Sequence, residues 1–111
     1  MSKATYWQRG EAIDYKNDTE TMIEANEIIT FGKRIGIAGT NIEPEATGAL
    51  MMTGVFKLPK KSENTFALGD VVYWDDTEKE ATSTATGGII AGYAVAEAKA
   101  TESIVVVKLL G

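Results

Sequence analysis

Cysteine and histidine are both absent from the 111 residues. Their absence removes thiolate and imidazole metal sites, disulfides, cysteine nucleophiles and every histidine-based triad. It leaves the redox compartment open. Cationic charge is also scarce: 11 Lys and Arg stand against 16 Asp and Glu, a net charge of −5. Binding along a phosphate backbone is driven by cations that release counterions, so no direct nucleic-acid partner is expected. An anionic membrane surface is disfavoured for the same reason. No apolar run is long enough to cross a bilayer, and the opening "MSKATYWQRGEAIDYKND" has no apolar segment of the secretory type. Asn17-Asp18-Thr19 matches a glycosylation sequon, which without a secretion signal reads as chance.

Proline is rare, with 2 residues, while glycine is frequent, with 11. Short stretches rich in Val, Ile and Thr alternate with Gly, Asn and Asp, the pattern of many short strands. The length suits one domain, residues 1–111, with one core. "SIVVVKLL" (Ser103 to Leu110) is β-branched and reads as a buried closing strand. "GALMMTGVFKLP" (Gly48 to Pro59) reads as one long strand bent at Gly54. "DVVYW" and "GIIAGYAVAEA" supply two more strands. "TETMIEANEII" (Thr19 to Ile29) fits helical spacing in part, through Met22, Ile23, Ala25 and Ile29.

A comparison of the two halves speaks against that helix. Ala25–Ile29 matches Leu68–Val72, Ile35–Ala38 matches Ala91–Ala94, Glu45-Ala46-Thr47 matches Lys99-Ala100-Thr101, and Val55–Leu58 matches Val106–Leu109. The blocks keep their order. Either coincidence among common β-type residues or an internal duplication produces such a series. A duplication places Ile28 and Ile29 in a strand and predicts an all-β fold: a small closed barrel or sandwich of short antiparallel strands with little helix.

"FGKRIGIAGT" (Phe31 to Thr40) fails as a phosphate loop. Glu27 occupies the position of the first glycine, and Arg34 follows Lys33 where a hydroxyl is needed. A hairpin at Gly32-Lys33 is expected instead. In "GDVVYWDD" the neighbours Asp75 and Asp76 point to opposite faces if the strand continues, or cap a turn if it ends. A calcium loop fails too, with Lys79 and Glu80 at its fifth and sixth positions. Tyr73 and Trp74 alternate, so one faces inward. An outward Trp74 would mark an interface or a sugar-stacking surface, and an inward one would make the stretch scaffold. Tyr6-Trp7 raises the same question: Trp7 packs either on its own domain or on another subunit.

The succession "GVFKLPK", "FALGDVVYWDD", "KEATSTATGG", "AGYAVAEA" and "IVVVKLL", with "YWQRGEAIDY" at the start, resembles the tailed-phage capsid cement or decoration proteins over nearly the whole chain. Some of these carry a recombinase label, which the missing P-loop does not support. The resemblance implies a non-enzymatic structural protein without cofactor or metal. It would bind the outer surface of an assembled capsid, bridge major capsid protein subunits, and form a homo-oligomer, with a trimer favoured by analogy. It would reside in the cytoplasm of the infected bacterium before joining the virion. Residues 1–9 are expected to form an N-terminal arm that pairs with a capsid edge, with Thr5, Tyr6, Trp7 and Gln8, together with Trp74, as the interface residues. Two competing readings are a carbohydrate-binding β-domain using Trp74 and a small hydrolase using Asp75 and Asp76.

Overall fold

The computed structural model describes residues 2–110, and among them only strands, turns and loops occur. The strands are β1 (Ala12–Lys16), β2 (Ile28–Phe31), β3 (Arg34–Ala38), β4 (Thr47–Met51), β5 (Val55–Pro59), β6 (Val71–Asp75), β7 (Glu80–Thr82), β8 (Ile89–Ala94) and β9 (Ile104–Leu109). They form two antiparallel sheets, ordered β1-β4-β3-β2 and β5-β9-β8-β6-β7. The all-β expectation holds.

The two sheets repeat one unit. The orders β1-β4-β3-β2 and β5-β9-β8-β6 are the same path taken twice. Local details repeat with it. Strands β2 and β6 each start after a turn with a positive φ, at Asn26 (φ 73) and Gly69 (φ 91). Asn26 N–H donates to the Ala38 carbonyl at 2.8 Å, and Gly69 N–H donates to the Ala94 carbonyl at 2.7 Å. The side chains of Glu27 and Asp70 accept from the N–H groups of Glu24 and Ala67, both at 2.8 Å. Isolated antiparallel bridges join Ile23 to Ile42 and Phe66 to Ala98.

Thr19–Glu27 is therefore turn and bridge rather than helix, and Ile28 and Ile29 lie in β2. The first two matched blocks sit on equivalent strands. The other two do not. The third is out of step: the turn closed by Ala46 N–H on Glu43 O corresponds to the one closed by Glu102 N–H on Lys99 O. Val55–Leu58 and Val106–Leu109 are neighbours in one sheet, pairing Val55 with Lys108 and Leu58 with Val105. The stretch Gly48–Pro59 is not one strand but two, β4 and β5, in different sheets. Between them Gly54 takes φ 123, a conformation that side-chain-bearing residues rarely adopt.

The units differ in one insertion. β2 and β3 are joined by the short hairpin Gly32-Lys33, with Gly32 at φ 55. Between β6 and β8 the chain instead adds β7, which pairs with β6 from Tyr73↔Thr82 to Asp75↔Glu80. β7 also meets the end of β5 through a parallel bridge, Lys60↔Ala81. The second sheet thus curls until its two edges touch, while the first stays open between β1 and β2.

Alternation sets the core. Val105, Val107 and Leu109 are buried on one face of β9, and they join Leu58, Phe66, Val72 and Trp74 inside the second unit. Ile35 and Ile37 from the first sheet pack against the same cluster, which fastens the units together. A smaller cluster of Ile23, Ala38, Ile42, Leu50 and Met52 serves the first unit.

Candidate functional site

The outer face of the second sheet is the unusual surface. Antiparallel sheets commonly turn polar residues to water. Here the register lines up Val55, Lys108, Tyr93 and Val71 across four strands. Alongside this row Pro59 pairs with Ile104 and Lys57 with Val106. Beyond a bulge in the β6–β8 pairing, Tyr73 pairs with Ile90. Val55, Val71, Ile90, Tyr93 and Ile104 are all exposed. An apolar surface of this kind marks an interaction site.

In the first unit the equivalent row, Ala12–Met51–Ile37–Ile28, is not free: Ile37 lies in the second unit's core cluster, and Met51 and Ile28 pack against it. Where β5 carries Val55, Lys57 and Pro59, β1 carries Ala12, Asp14 and Lys16. Where β9 carries Ile104 and Val106, β4 carries Thr47 and Ala49. What is peculiar to the second unit is that its apolar face is left exposed and continues onto β5 and the start of β9, where the first unit is polar or small. Its charged members are cations: Lys57, and Lys108, whose Nζ lies 5.9 Å from the Tyr93 ring centre. The carboxylates Asp75 and Glu80 stand at the β6–β7 margin.

The N-terminal residues form the second exposed feature. Residues 2–11 lie outside any strand, and Thr5, Tyr6, Trp7 and Gln8 are exposed, with Tyr6 at 80% and Trp7 at 90%. Trp7 does not pack on its own domain.

Trp74 is elsewhere. It faces the interior and is 2% exposed, because its place on β6 alternates inward and Ala81 of β7 pairs opposite it. Its Nε1 donates to Asp76 Oδ1 at 3.3 Å. The expected surface anchor is thus scaffold, and no sugar can stack on it.

The two carboxylates are occupied locally. Asp75 Oδ1 accepts the N–H groups of Thr77 and Glu78 at 3.0 and 3.1 Å, a turn-capping pattern. Asp76 Oδ1 also accepts from Lys79 Nζ at 2.7 Å, and its Oδ2 accepts from Thr30 Oγ1 at 3.1 Å. The Lys79 hydrogen bond holds the Asp76 carboxyl below its ordinary pKa, with help from Trp74 and Thr30 and against partial burial. The pair reads as a turn that ties β6 to β2. Asn17 is buried, with Nδ2 donating to Thr21 O and Ile42 O at 2.9 Å each, so the sequon offers no accessible amide.

A family model described as phage cement protein matches residues 7–109. The chain belongs to the phage cement protein family. Searches of curated proteins and of solved structures gave no match. Cement proteins are structural proteins associated with the phage capsid, and they stabilise it. Sequence reading missed the apolar outer face, although the signal was present. "IVVVKL" and "VVYW" are apolar at both parities, so each strand carries apolar side chains outward as well as inward.

Proposed function

We propose that this cement protein binds the outer surface of the assembled, expanded capsid and bridges neighbouring major capsid protein subunits. The outer face of the second sheet is the docking surface. The observation that carries this reading is the row Val55–Lys108–Tyr93–Val71, left exposed in the second unit, whereas its apolar counterpart in the first, Ala12–Met51–Ile37–Ile28, packs through Met51, Ile37 and Ile28 against the second unit's core. Its two lysines, on a chain of net charge −5, suit a partner surface that is apolar with an acidic margin. A two-fold copy docked face to face would set lysine against lysine, which favours a different protein as the partner.

Bridging works by multivalency. Several modest contacts per copy add up because each is made at high effective concentration once the first has formed. A homo-oligomer, with a trimer at local three-fold positions by analogy, would multiply the effect. The arm, residues 1–9 with Thr5, Tyr6, Trp7 and Gln8, is the adhesive extension that reaches a neighbouring strand edge in the shell. Before assembly the protein would reside in the cytoplasm of the infected bacterium.

The test is the composition of purified virions. The chain should be present in fixed ratio to the major capsid protein, co-sediment with expanded but not unexpanded capsids, and raise the temperature at which particles release DNA. Its absence from virions would overturn the proposal.

A further inference from the structure

The first unit is missing a strand that the second unit has. In the second unit β7 lies between β6 and the end of β5, with Ala81 opposite Trp74 and bridged to Lys60. By the internal repeat, Trp74 corresponds to Phe31, Leu58 to Tyr15, Val72 to Ile29, and Lys60 to Asn17. Trp74, Leu58 and Val72 are buried. Phe31, Tyr15 and Ile29 are only partly buried at the same positions. The Tyr15 and Phe31 rings sit 6.3 Å apart. A cleft of about 280 Å³ borders Tyr15, lined also by Thr19, Met22, Ile29, Thr30 and by Lys79 from the β6–β7 turn. β2 is an edge strand there, with a neighbour on one side only.

The missing element is thus defined by its counterpart. It is a short extended segment antiparallel to β2, with a small residue facing Phe31 and room for a larger one toward Ile29. The chain contains such a segment. Lys3-Ala4-Thr5 has the small-residue core of Glu80-Ala81-Thr82. With Ala4 set where Ala81 sits, Thr5 falls opposite Thr30, and the next inward side chain, Tyr6, falls opposite Ile29. The arm and the cleft coexist in one chain without meeting: residues 2–10 are exposed and outside any strand.

We infer that the N-terminal arm of a second copy of this chain inserts along β2 and completes the first unit as β7 completes the second. The inference rests on the proposed role of residues 1–9 as an adhesive arm, and it names a copy of the same chain as their partner. Closure would remove an open sheet edge and cover three half-exposed apolar side chains. It would also leave the outer face of the second sheet available for the capsid.

Cysteine-free sequence makes the test direct. The single variants Thr5→Cys and Thr30→Cys are mixed under oxidising conditions, both as purified chains and on expanded capsids. A disulfide-linked pair that forms only in the mixture is expected. Deletion of residues 1–9 should abolish self-association in sedimentation while leaving the circular dichroism spectrum unchanged. If the deleted chain fails to fold, the cysteine pair alone decides. A monomer closed on itself in the Thr5→Cys/Thr30→Cys double variant would overturn the inference in favour of the chain's own arm. No cross-link in solution or on particles would overturn it outright. Co-sedimentation of the unmodified chain with capsids is read separately, so loss of capsid binding and loss of arm exchange remain distinct results.

Discussion

Asn17 and Lys60 hold the same place in the two units, and each aims its terminal nitrogen at the carbonyl four residues ahead. Asn17 Nδ2 donates to Thr21 O at 2.9 Å, and Lys60 Nζ donates to Asn64 O at 2.6 Å. Each also serves a second carbonyl, Ile42 O for Asn17 and Lys61 O for Lys60. Two different side chains thus perform one task, pinning the loop that follows β1 or β5. Both side chains are buried, and among their acceptors the Ile42 carbonyl is buried as well. Asn17→Ala strips two carbonyls of their donor and is expected to cost about 2–3 kcal/mol. Lys60→Met should cost a similar ~1–3 kcal/mol, since the lost hydrogen bonds outweigh the relief of a desolvated ammonium. Urea unfolding with unchanged m-value checks both.

Gly92 and Gly36 also correspond, but their tolerance should differ. A Cβ at Gly92 would collide with the Lys108 carbonyl, which is backbone and fixed by β8–β9 pairing. At Gly36 the nearest atom is the Met52 sulfur at 3.0 Å, the end of a flexible side chain. Gly92→Ala is expected to destabilise by about 3 kcal/mol or more, and Gly36→Ala by roughly 1 kcal/mol. Thermal melting of the two variants should separate them clearly.

The acid range offers a check on Asp76. Its carboxyl titrates lower in the folded chain than in the unfolded one. A depressed carboxylate contributes stability above the unfolded pKa and loses it as pH falls through the folded value. The contribution is therefore complete above about pH 4 and disappears below it. Lys79 is exposed and Asp76 only half-buried, so solvent screens the pair and the effect should stay under about 1 kcal/mol. Asp76→Asn should flatten the loss of stability below about pH 4, relative to the parent, in melts followed across that range.

Charge on the outer face should separate binding from folding. Val71→Asp and Tyr93→Asp place carboxylates in the exposed row. Stability should change by no more than about 0.5–1 kcal/mol. Co-sedimentation with expanded capsids should fall at least tenfold. Asp14→Asn, on the polar face of the first unit, should leave binding unchanged.

Strand identity was legible wherever burial alternated or β-branched residues ran together. β6 overlaps "DVVYW" shifted by one residue, β9 lies within "SIVVVKLL", and β8 takes the first part of "GIIAGYAVAEA", ending at Ala94. The repeat was legible at its turns, because positive φ at Asn26 and Gly69 demands residues that tolerate it. It was lost at Val55–Leu58, where the composition of β5 resembles that of its neighbour β9 more than that of its equivalent β1. Pairing is a tertiary fact, and similar apolar strands do not announce whether they correspond or touch.

The sequence alone excluded thiol, imidazole and phosphate-loop chemistry, set an all-β fold, and carried the family in the order of its motifs. Those properties live in residue identity, turn chemistry and the period of two along a strand. Only the tertiary structure turned Trp74 inward, divided Gly48–Pro59 between two sheets, left the apolar outer face of one unit exposed while packing that of the other, and showed an open edge on the first unit. Which face of a strand meets water depends on what packs over it, and β7 covers one unit while the other has no such strand.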